Sequence, residues 1–598
     1  MTRGPLARAG TGRLSRRAAT LGVIVCVVIA LGLRLCALGA RLPCNVEPDG
    51  TVIPEQVELI QRHVENRDAR SVWRLYPHLV AELAALIPAR ERADDSLEEH
   101  LAQASAPFLR VRLVVALLSL LLVPASYWLA RNFLARGPAL LATLLCATSL
   151  LTLLFAQQAR PHAAAAAFAL LAVVAALRMA RRPDWLSCSL AALAVGLSAG
   201  TLQSGAASAL PLAAAWFLRD RKSESRAARW LAPLWMLLLA GTIVWALYPH
   251  GLPDQRAAEG STSAIGGLVF ATSHADPNLA LGVGHEVRID RLGGGGFAVI
   301  ARTLWSFETL PLVAALIALA FAAKSLVTRV PDGPSWRKLA IVGAYVVPYL
   351  LLFGMFDATC ERFCLQLVPF VACLAAALWM RIALRGPPVL ALVALCLLAL
   401  PQLGACLALE RLRLKKDGPT QLADWIAGHA AAGSERIFFF PGVDVPLART
   451  EAAITRDAAA SFGSQWFRYQ KLHAGEGWTC PRYQLEHAPL LRAADFAAAK
   501  SDPRATLKTA QAGLVAIVGP SRDRPDDFAN ALALDFQSVL AAEARLECRV
   551  PAGARDPTQD STLGYNIMTN ETVWTWELLS GLPSFGATFE LYRILDVR

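Results

Sequence analysis

The sequence predicts an α-helical membrane protein that crosses the bilayer about eleven times and carries an extracytoplasmic α/β domain at its C-terminal end. Hydrophobic residues make up 55% of the 598 positions and charged residues only 18%, which is too apolar for an ordinary soluble chain. Apolar runs of about 20 residues, the length that spans a bilayer, recur up to residue 408. From 409 to 598 the pattern changes to alternating helices and short strands.

Basic clusters orient the predicted spans. They follow every second span and all fall on one side, which the positive-inside rule makes cytoplasmic. Residues 219–229 and 327–337 are then inside, and 39–110, 249–302 and 409–598 are outside. The spans are centred near residues 28, 121, 147, 170, 194, 211, 239, 314, 347, 372 and 398, and the clusters are "RGPLARAGTGRLSRR", "ARNFLARG", "RMARRPD", "RDRKSESRAAR", "RVPDGPSWRK" and "MRIALRG".

The net charge of +11 is therefore explained by the basic clusters that orient the spans in the membrane, and we expect no nucleic-acid partner. The opening residues also resemble an export signal, but with ten spans following, a retained anchor is the expectation. The composition is typical of a GC-rich bacterial genome, so we expect a multi-pass protein of the cytoplasmic (inner) membrane, with residues 1–408 as the membrane domain and 409–598 as a periplasmic domain.

The cysteines and the glycines support three further predictions. Most cysteines lie inside spans as small apolar residues, whereas Cys480 and Cys548 are the two in the oxidising tail, where we expect them to form a disulfide. No histidine accompanies Cys360 and Cys364, and no firm ligand spacing appears in the 249–302 loop, so no metal site is indicated. The four glycines at 293–296 belong to that loop, which we expect to act as a flexible lid over a site.

The first outer loop holds three carboxylates, Glu47, Asp49 and Glu55, near the end of the first predicted span. Charge is costly at a lipid surface, which favours a functional role. Apolar stripes that follow, in 57–64 and 72–86, indicate helices lying along the membrane surface. Asp49 before Gly50 is equally typical of an ordinary turn.

Four features then carry a family resemblance. They are the first span with "PD" in its outer loop, the "LYPHL" segment at 75–79, the following span up to "FAQQARPH", and "ERFCLQLVPF" late in the membrane part. Together they resemble the membrane glycosyltransferases of the GT-C fold, and in particular the glycosyltransferase family 39 relatives, the protein O-mannosyltransferases and the lipid A aminoarabinose transferases. The similarity covers roughly residues 18 to 380.

The resemblance implies an enzyme that takes a sugar, a hexose or a pentose, from a polyprenyl-phosphate carrier and transfers it to a glycan, lipid or protein acceptor at the outer face of the membrane. In that family the Asp of the first outer loop is the catalytic carboxylate, and Asp49 stands in its place. The sequence departs from the family twice: the usual Asp-Glu pair is "DG", and the acidic residue often found after "AR" is replaced, giving "ARPH" with His162.

The chemistry of sugar transfer asks for the same residue types. An incoming hydroxyl needs a base, and a carboxylate desolvated at an apolar interface is a better base near neutral pH. The departing phosphate needs cations, and the planar guanidinium donates two hydrogen bonds at once. The candidates are Asp49, with Glu47 or Glu55 as alternates, for the base, Arg74, Arg160 and Arg362 for the phosphate, and Tyr76, His78 and His162 for further substrate contacts.

Other interpretations stay open at this point. Arg160 and Arg362 are also typical of interfacial anchors that reach the headgroups, and His162 after Pro161 is a common helix start. A transporter or flippase of a lipid-linked sugar or solute is the leading alternative function, although we see no clear internal repeat or mid-span charge. A non-catalytic glycan-binding membrane protein is the third. We expect no cofactor, and membrane lipid as a partner in every case.

Overall fold

The computed structural model describes most of the chain. The described residues are 14–44, 50–62, 76–219, 226–248, 263–265, 268–270, 292–327, 336–440, 444–459, 464–487, 493–518, 528–550, 575–581 and 589–595. Three predicted site residues, Glu47, Asp49 and Arg74, lie outside them, as does most of the 249–302 loop.

Helices dominate the first two thirds of the chain. The first begins where the Ser15 hydroxyl accepts a hydrogen bond from the Ala18 N–H, which satisfies one of the free amides of the first turn. The helices up to residue 247 are α1 (Arg16–Leu35), α2 (Val52–Gln61), α3 (Leu79–Ala85), α4 (Leu97–Ser119), α5 (Leu122–Arg131), α6 (Arg136–Ala147), α7 (Leu150–Ala156), α8 (His162–Arg181), α9 (Trp185–Ala199), α10 (Ala209–Leu218) and α11 (Arg226–Leu247), with a 3₁₀ turn at Gln203–Ser208.

The membrane part of the chain continues after residue 247 with a short strand pair and further helices. A short antiparallel pair, β1 (Ser263–Ile265) and β2 (Leu268–Phe270), lies in the predicted outer loop. It is followed by α12 (Gly295–Phe307), α13 (Thr309–Val327), α14 (Trp336–Met355), a 3₁₀ turn at Glu361–Gln366, α15 (Val368–Arg385) and α16 (Pro388–Arg413).

The chain is a mostly helical, multi-pass membrane protein. Among the described residues, seven helices or continuous helix runs are long and apolar enough to span a bilayer, or up to nine if each of two bent pairs is one span. Two of the eleven predicted spans are shorter, because α9 has 15 residues and α10 has 10. The count of eleven is thus not confirmed, while the polytopic helical class is.

Two helix breaks meet in the interior. The α6–α7 pair bends by 48°, and the α12–α13 pair by 117°. At the contact the Ser149 hydroxyl donates to Glu308 Oε1 at 2.5 Å, and Gln402 Nε2 donates to the Phe307 carbonyl at 3.0 Å. Polar side chains thereby satisfy backbone groups that a break leaves without helical partners, as a lipid environment requires.

The predicted lid contains a segment that is firmly anchored. The backbone N–H groups of Gly293 and Gly295 donate to the Asp357 carboxylate at 2.9 and 2.7 Å. A Cβ at Gly296 would lie 2.0 Å from the Phe353 carbonyl, so this position needs glycine for close packing. The glycine run is therefore the packed start of α12 instead of a flexible tip, and residues 271–291 lie outside the described part of the chain.

The C-terminal part is an α/β unit. Its described helices are α17 (Gly418–His429), α18 (Glu451–Ala459), α19 (Gln465–Leu472), α20 (Ala493–Ser501), α21 (Pro503–Ala510), α22 (Phe528–Glu543) and α23 (Thr575–Ser580), and its strands are β3 (Arg436–Phe440), β4 (Ala448–Arg449), β5 (Arg482–His487), β6 (Leu514–Val518), β7 (Ala544–Val550) and β8 (Phe589–Ile594). The described strands form one six-stranded sheet in the order β4-β5-β3-β6-β8-β7.

The first four strands in this order are parallel to one another. β8 runs antiparallel to both of its neighbours, β6 and β7. Alternate residues of β3 enter the two cores on opposite faces, Phe439 on one and Phe438 on the other. The prediction of a Cys480–Cys548 disulfide is wrong, since both thiols are free. Cys480 precedes β5 and Cys548 lies in β7, four strands away, which is about 19 Å at the usual strand spacing.

Contacts tie the C-terminal unit to the first predicted outer loop. Arg468 forms an ion pair with Glu55 at 3.2 Å, and the Thr479 N–H donates to the Asp95 carbonyl at 3.1 Å. Tyr469 donates its hydroxyl hydrogen bond to Gln103 Oε1 at 2.6 Å. The two segments therefore share one face of the helical part, as the basic clusters predict, while the side of the membrane on which that face lies stays a prediction.

Candidate functional site

Three segments that are far apart in the sequence meet through their rings. Tyr76 of "LYPHL", His162 of "ARPH" and Phe363 of "ERF" form the contact, which we call the ring triad. The His162 ring stands edge-on to Tyr76 at a centroid distance of 6.1 Å and to Phe363 at 6.0 Å. Edge-to-face packing at such distances is favourable because the positive ring edge meets the negative ring face. The triad fixes the relative positions of the three segments.

The sequence around His162 explains its position. Pro161 caps the start of α8, and His162 is the first helical residue, so its ring is held at the helix end. The next five residues, 163–167, are alanines, all buried. Such small side chains let neighbouring helices approach closely. The imidazole thus lies at the start of a helix whose first turns are buried in the bundle.

A 3₁₀ turn positions Phe363. Its carbonyl accepts a hydrogen bond from the Tyr349 hydroxyl at 3.1 Å, and its ring stacks on Phe353 at 4.5 Å. The same turn is held at its end by Tyr345, whose hydroxyl donates to Gln366 Oε1 at 2.7 Å. Phe363 therefore stands on an aromatic support built by α14, which makes its place in the triad rigid.

Two arginines accompany the triad. Arg160 lies two residues before His162 and Arg362 directly before Phe363, and their side chains are buried, with 1% and 5% of their surface exposed. The Arg362 guanidinium lies 5.5 Å from the Phe363 ring centroid. Burying a guanidinium group costs free energy, and its planar set of donors suits a phosphate or carboxylate partner. Two buried arginines are thus carried by the segments that meet at the triad, and the Arg362 guanidinium lies beside one of its rings.

The α2 helix approaches the triad from the first outer loop. Gln56, fully buried, donates from Nε2 to the Tyr76 carbonyl at 3.0 Å. Gly50, which follows Asp49 in the chain, is buried as well. The segment that follows Asp49 in the chain is therefore hydrogen-bonded, through Gln56, to Tyr76 of the triad. Asp49 itself, Glu47 and Arg74 lie outside the described residues.

The two remaining candidates point elsewhere. Glu55 is about two-fifths exposed and pairs with Arg468 of the C-terminal unit. Burial raises the pKa of Glu55, and the attraction of Arg468 partly opposes the rise. His78 is buried, donates its backbone N–H to the Leu247 carbonyl at 2.7 Å and lies edge-on to Tyr248. Both residues serve contacts between elements and are not part of the triad.

A basic pocket near the first outer loop was missed from the sequence. It encloses about 110 Å³ and is lined by Arg41, Arg413, Lys415 and Lys416, with Asp417 as the acidic member. The signal was present in "RLRLKK" at 411–416, a basic cluster on the predicted outer face, where the positive-inside rule does not place one. Membrane topology therefore does not explain this cluster. The structure shows that three of its basic residues line the pocket.

Comparisons with known proteins give matches among solved structures alone. No protein-family model and no curated protein matches the chain. The archaeal oligosaccharyltransferase AglB from Archaeoglobus fulgidus is 11% identical, with a TM-score of 0.45 over 88% of this chain and 72% of AglB. ArnT from Cupriavidus metallidurans bound to undecaprenyl phosphate is 13% identical, with a TM-score of 0.41 over 90% of this chain and 96% of ArnT.

A third structure is the arabinofuranosyltransferase AftD from Mycobacteria, which is 16% identical and has a TM-score of 0.38 over 97% of this chain and 42% of AftD. Similarity at this level assigns no activity to the chain.

Proposed function

We propose that this protein is a membrane glycosyltransferase of the GT-C class, which transfers a sugar from a polyprenyl-phosphate carrier to an acceptor at the outer face of the cytoplasmic membrane. The observation that supports it is the ring triad, because the three segments that resemble this class are brought together there with two buried arginines. The solved structures named above include two sugar transferases and a protein bound to undecaprenyl phosphate. The site residues, and not that likeness, support the proposal.

The proposed reaction uses the site residues in separate roles. Asp49 accepts the proton of the acceptor hydroxyl while the hydroxyl oxygen attacks the anomeric carbon of the sugar. The bond from that carbon to the phosphate oxygen breaks, and the carrier leaves as polyprenyl phosphate. Arg160 and Arg362 neutralise the charge that develops on the departing phosphate, which is where preorganised cations contribute most. The ring triad holds both arginine-bearing segments in place.

A transporter of lipid-linked sugars is the second candidate, and one observation favours it. Two helix pairs among the described residues are bent, with the buried carboxylate of Glu308 at one of the bends. Broken helices and buried ionisable groups are typical of transporter sites. Such a protein would move the lipid-linked sugar across the bilayer intact, without breaking the sugar–phosphate bond.

One assay separates the two. Purified protein in lipid vesicles is incubated with a panel of radiolabelled polyprenyl-phosphate sugars and acceptors, and both release of the unglycosylated carrier and movement of the intact donor are measured. A transferase releases carrier, and Asp49→Asn abolishes the release, with a loss of at least about 100-fold, while the variant still folds. Movement of intact donor without release, or full release by Asp49→Asn, would contradict the proposal.

A further inference from the structure

A cluster of possible metal ligands lies where the first outer loop meets the C-terminal unit. Asp95, His100 and Glu476 each offer a ligand atom, and these atoms all lie within 4.8 Å of one another. His100 belongs to the first turn of α4, and Glu476 follows α19. Asp95 and His100 come from one segment and Glu476 from another that is remote in sequence, so the cluster exists only in the folded chain.

His100 shows that the cluster is more than two neighbouring acids. Its side chain is fully buried, and its ring stacks on Trp478 with centroids 3.8 Å apart and planes 10° from parallel. Nδ1 lies 3.0 Å from the Tyr469 hydroxyl, whereas Nε2 is buried without a hydrogen-bond partner. A buried ring nitrogen without a hydrogen-bond partner destabilises the fold. A ligand at this nitrogen would remove that destabilisation.

We infer that Asp95, His100 and Glu476 bind a divalent transition-metal ion, and that Zn²⁺ is the ion that fits best. One imidazole nitrogen and two carboxylates are a ligand set that Zn²⁺ accepts, with a fourth position left for water. Imidazole also favours a transition metal over Mg²⁺ or Ca²⁺. The site is separate from the ring triad and independent of the proposed transfer reaction.

The residues around the cluster complete the site. The Tyr469 hydroxyl opposite Nδ1 orients the imidazole, as a second contact does for most metal-bound histidines. His473 Nδ1 lies 2.6 Å from Glu476 Oε1 and orients that carboxylate in turn. Trp478 covers one face of the His100 ring and shields it from water. The ligand geometry is thus held by packing.

Arg92 competes with the ion for the same oxygens. Its guanidinium contacts Glu476 and lies 3.3 Å from Asp95 Oδ1. A quarter of its side chain is exposed, so it can turn into solvent when an ion enters. One positive group is thereby exchanged for another at two carboxylates. Because of this competition, removal of the Arg92 side chain should increase the affinity of the site for the ion.

The experiment uses the full chain in lipid nanodiscs after treatment with a chelator. ZnCl₂ is titrated by calorimetry, and bound zinc is counted by mass spectrometry. We expect one Zn²⁺ per chain and a rise in the unfolding temperature on its addition. His100→Gln and Glu476→Gln should each weaken binding at least about 10-fold, and Arg92→Gln should tighten it. His429→Gln, which changes an exposed histidine of the same unit, is the matched control and should bind as the wild type does.

Several outcomes overturn the inference. They are absence of stoichiometric zinc in the wild type, equal binding by His100→Gln and Glu476→Gln, or weaker binding by Arg92→Gln. If His100→Gln does not fold, Asp95→Asn and Glu476→Gln decide, since both side chains are partly exposed. The readout is binding and not sugar transfer, so failure here leaves the proposed function untouched, and the reverse holds as well.

Discussion

Two places in the molecule join distant segments, and the contacts that hold them differ in kind. The ring triad joins Tyr76, His162 and Phe363 through buried aromatic edges. The second place, which we call the outer junction, joins residues 92–103 to 469–479 through one stack of the buried His100 ring on Trp478 and, around it, hydrogen bonds and ion pairs that are partly exposed. Packed rings hold at any salt concentration, whereas partly exposed ion pairs are screened. The difference indicates a rigid site in the helical part and an adjustable attachment of the C-terminal unit.

This comparison predicts different consequences of mutation in the two places. Changes at the ring triad should reduce the transfer rate, and changes at the outer junction should reduce stability while the rate per folded molecule is kept.

The largest effect is expected at the arginines beside the triad. Arg362→Gln and Arg160→Gln should each slow transfer by about 100- to 1000-fold, because a preorganised cation at the leaving phosphate is lost. The lysine variants should lose less, since a point charge remains but the paired donors do not. Initial rates of carrier release measure the effect. Arg178→Gln, at the other end of α8, is the control, and full activity of Arg362→Gln would refute the phosphate role.

A moderate effect is expected within the triad. His162→Ala removes two edge-to-face contacts, each worth about 0.5–1.5 kcal/mol, so we expect transfer to fall about 10-fold. A double-mutant cycle with Phe363→Leu should show a loss smaller than the sum of the single losses, because the two residues share a contact. Strict additivity in the cycle would mean that the rings do not act together.

At the outer junction, Tyr469→Phe should change stability and not rate. The variant loses the hydroxyl that donates to Gln103 and faces His100, at an expected cost of about 1–2 kcal/mol. Thermal unfolding measures the loss, and the rate is normalised to folded protein. A slower rate without a change in unfolding would reverse the assignment of the two places.

The smallest effect is expected for Glu55→Gln. The raised pKa of Glu55 means that the folded chain holds this proton more strongly than the unfolded chain. Its contribution to stability is therefore present below the ordinary glutamate range and is lost as pH rises through the raised value. The variant should remove this small dependence, seen by thermal unfolding between about pH 4 and 6, and should retain transfer. A loss as large as that of Asp49→Asn would make Glu55 the base.

The sequence predicted the elements with a local signal. Long apolar runs predicted the helical bundle, and the change of pattern after residue 408 predicted the alternating helices and short strands of the C-terminal unit. Tyr76 and His162, two of the candidates from the motif segments, lie in contact, whereas Phe363 was not among the candidates. The bends at Ser149 and Glu308 escaped prediction, because the few polar residues there do not end an apolar run of spanning length. The partnership of His100 with Glu476 escaped as well, because nothing in either segment refers to the other.

The position of β8 has a consequence for biogenesis. In the sheet, β8 lies between β6 and β7, although it comes after both in the chain. A nascent chain that has been made as far as residue 550 contains both neighbours, yet β7 and the edge of β6 that faces away from β3 have no strand partner until 589–594 is translated. The sheet can therefore close only after every helix of the bundle has been synthesised. Until then the edges of β6 and β7 that face β8 stay unpaired and are open to wrong pairing, a hazard confined to this interval of synthesis.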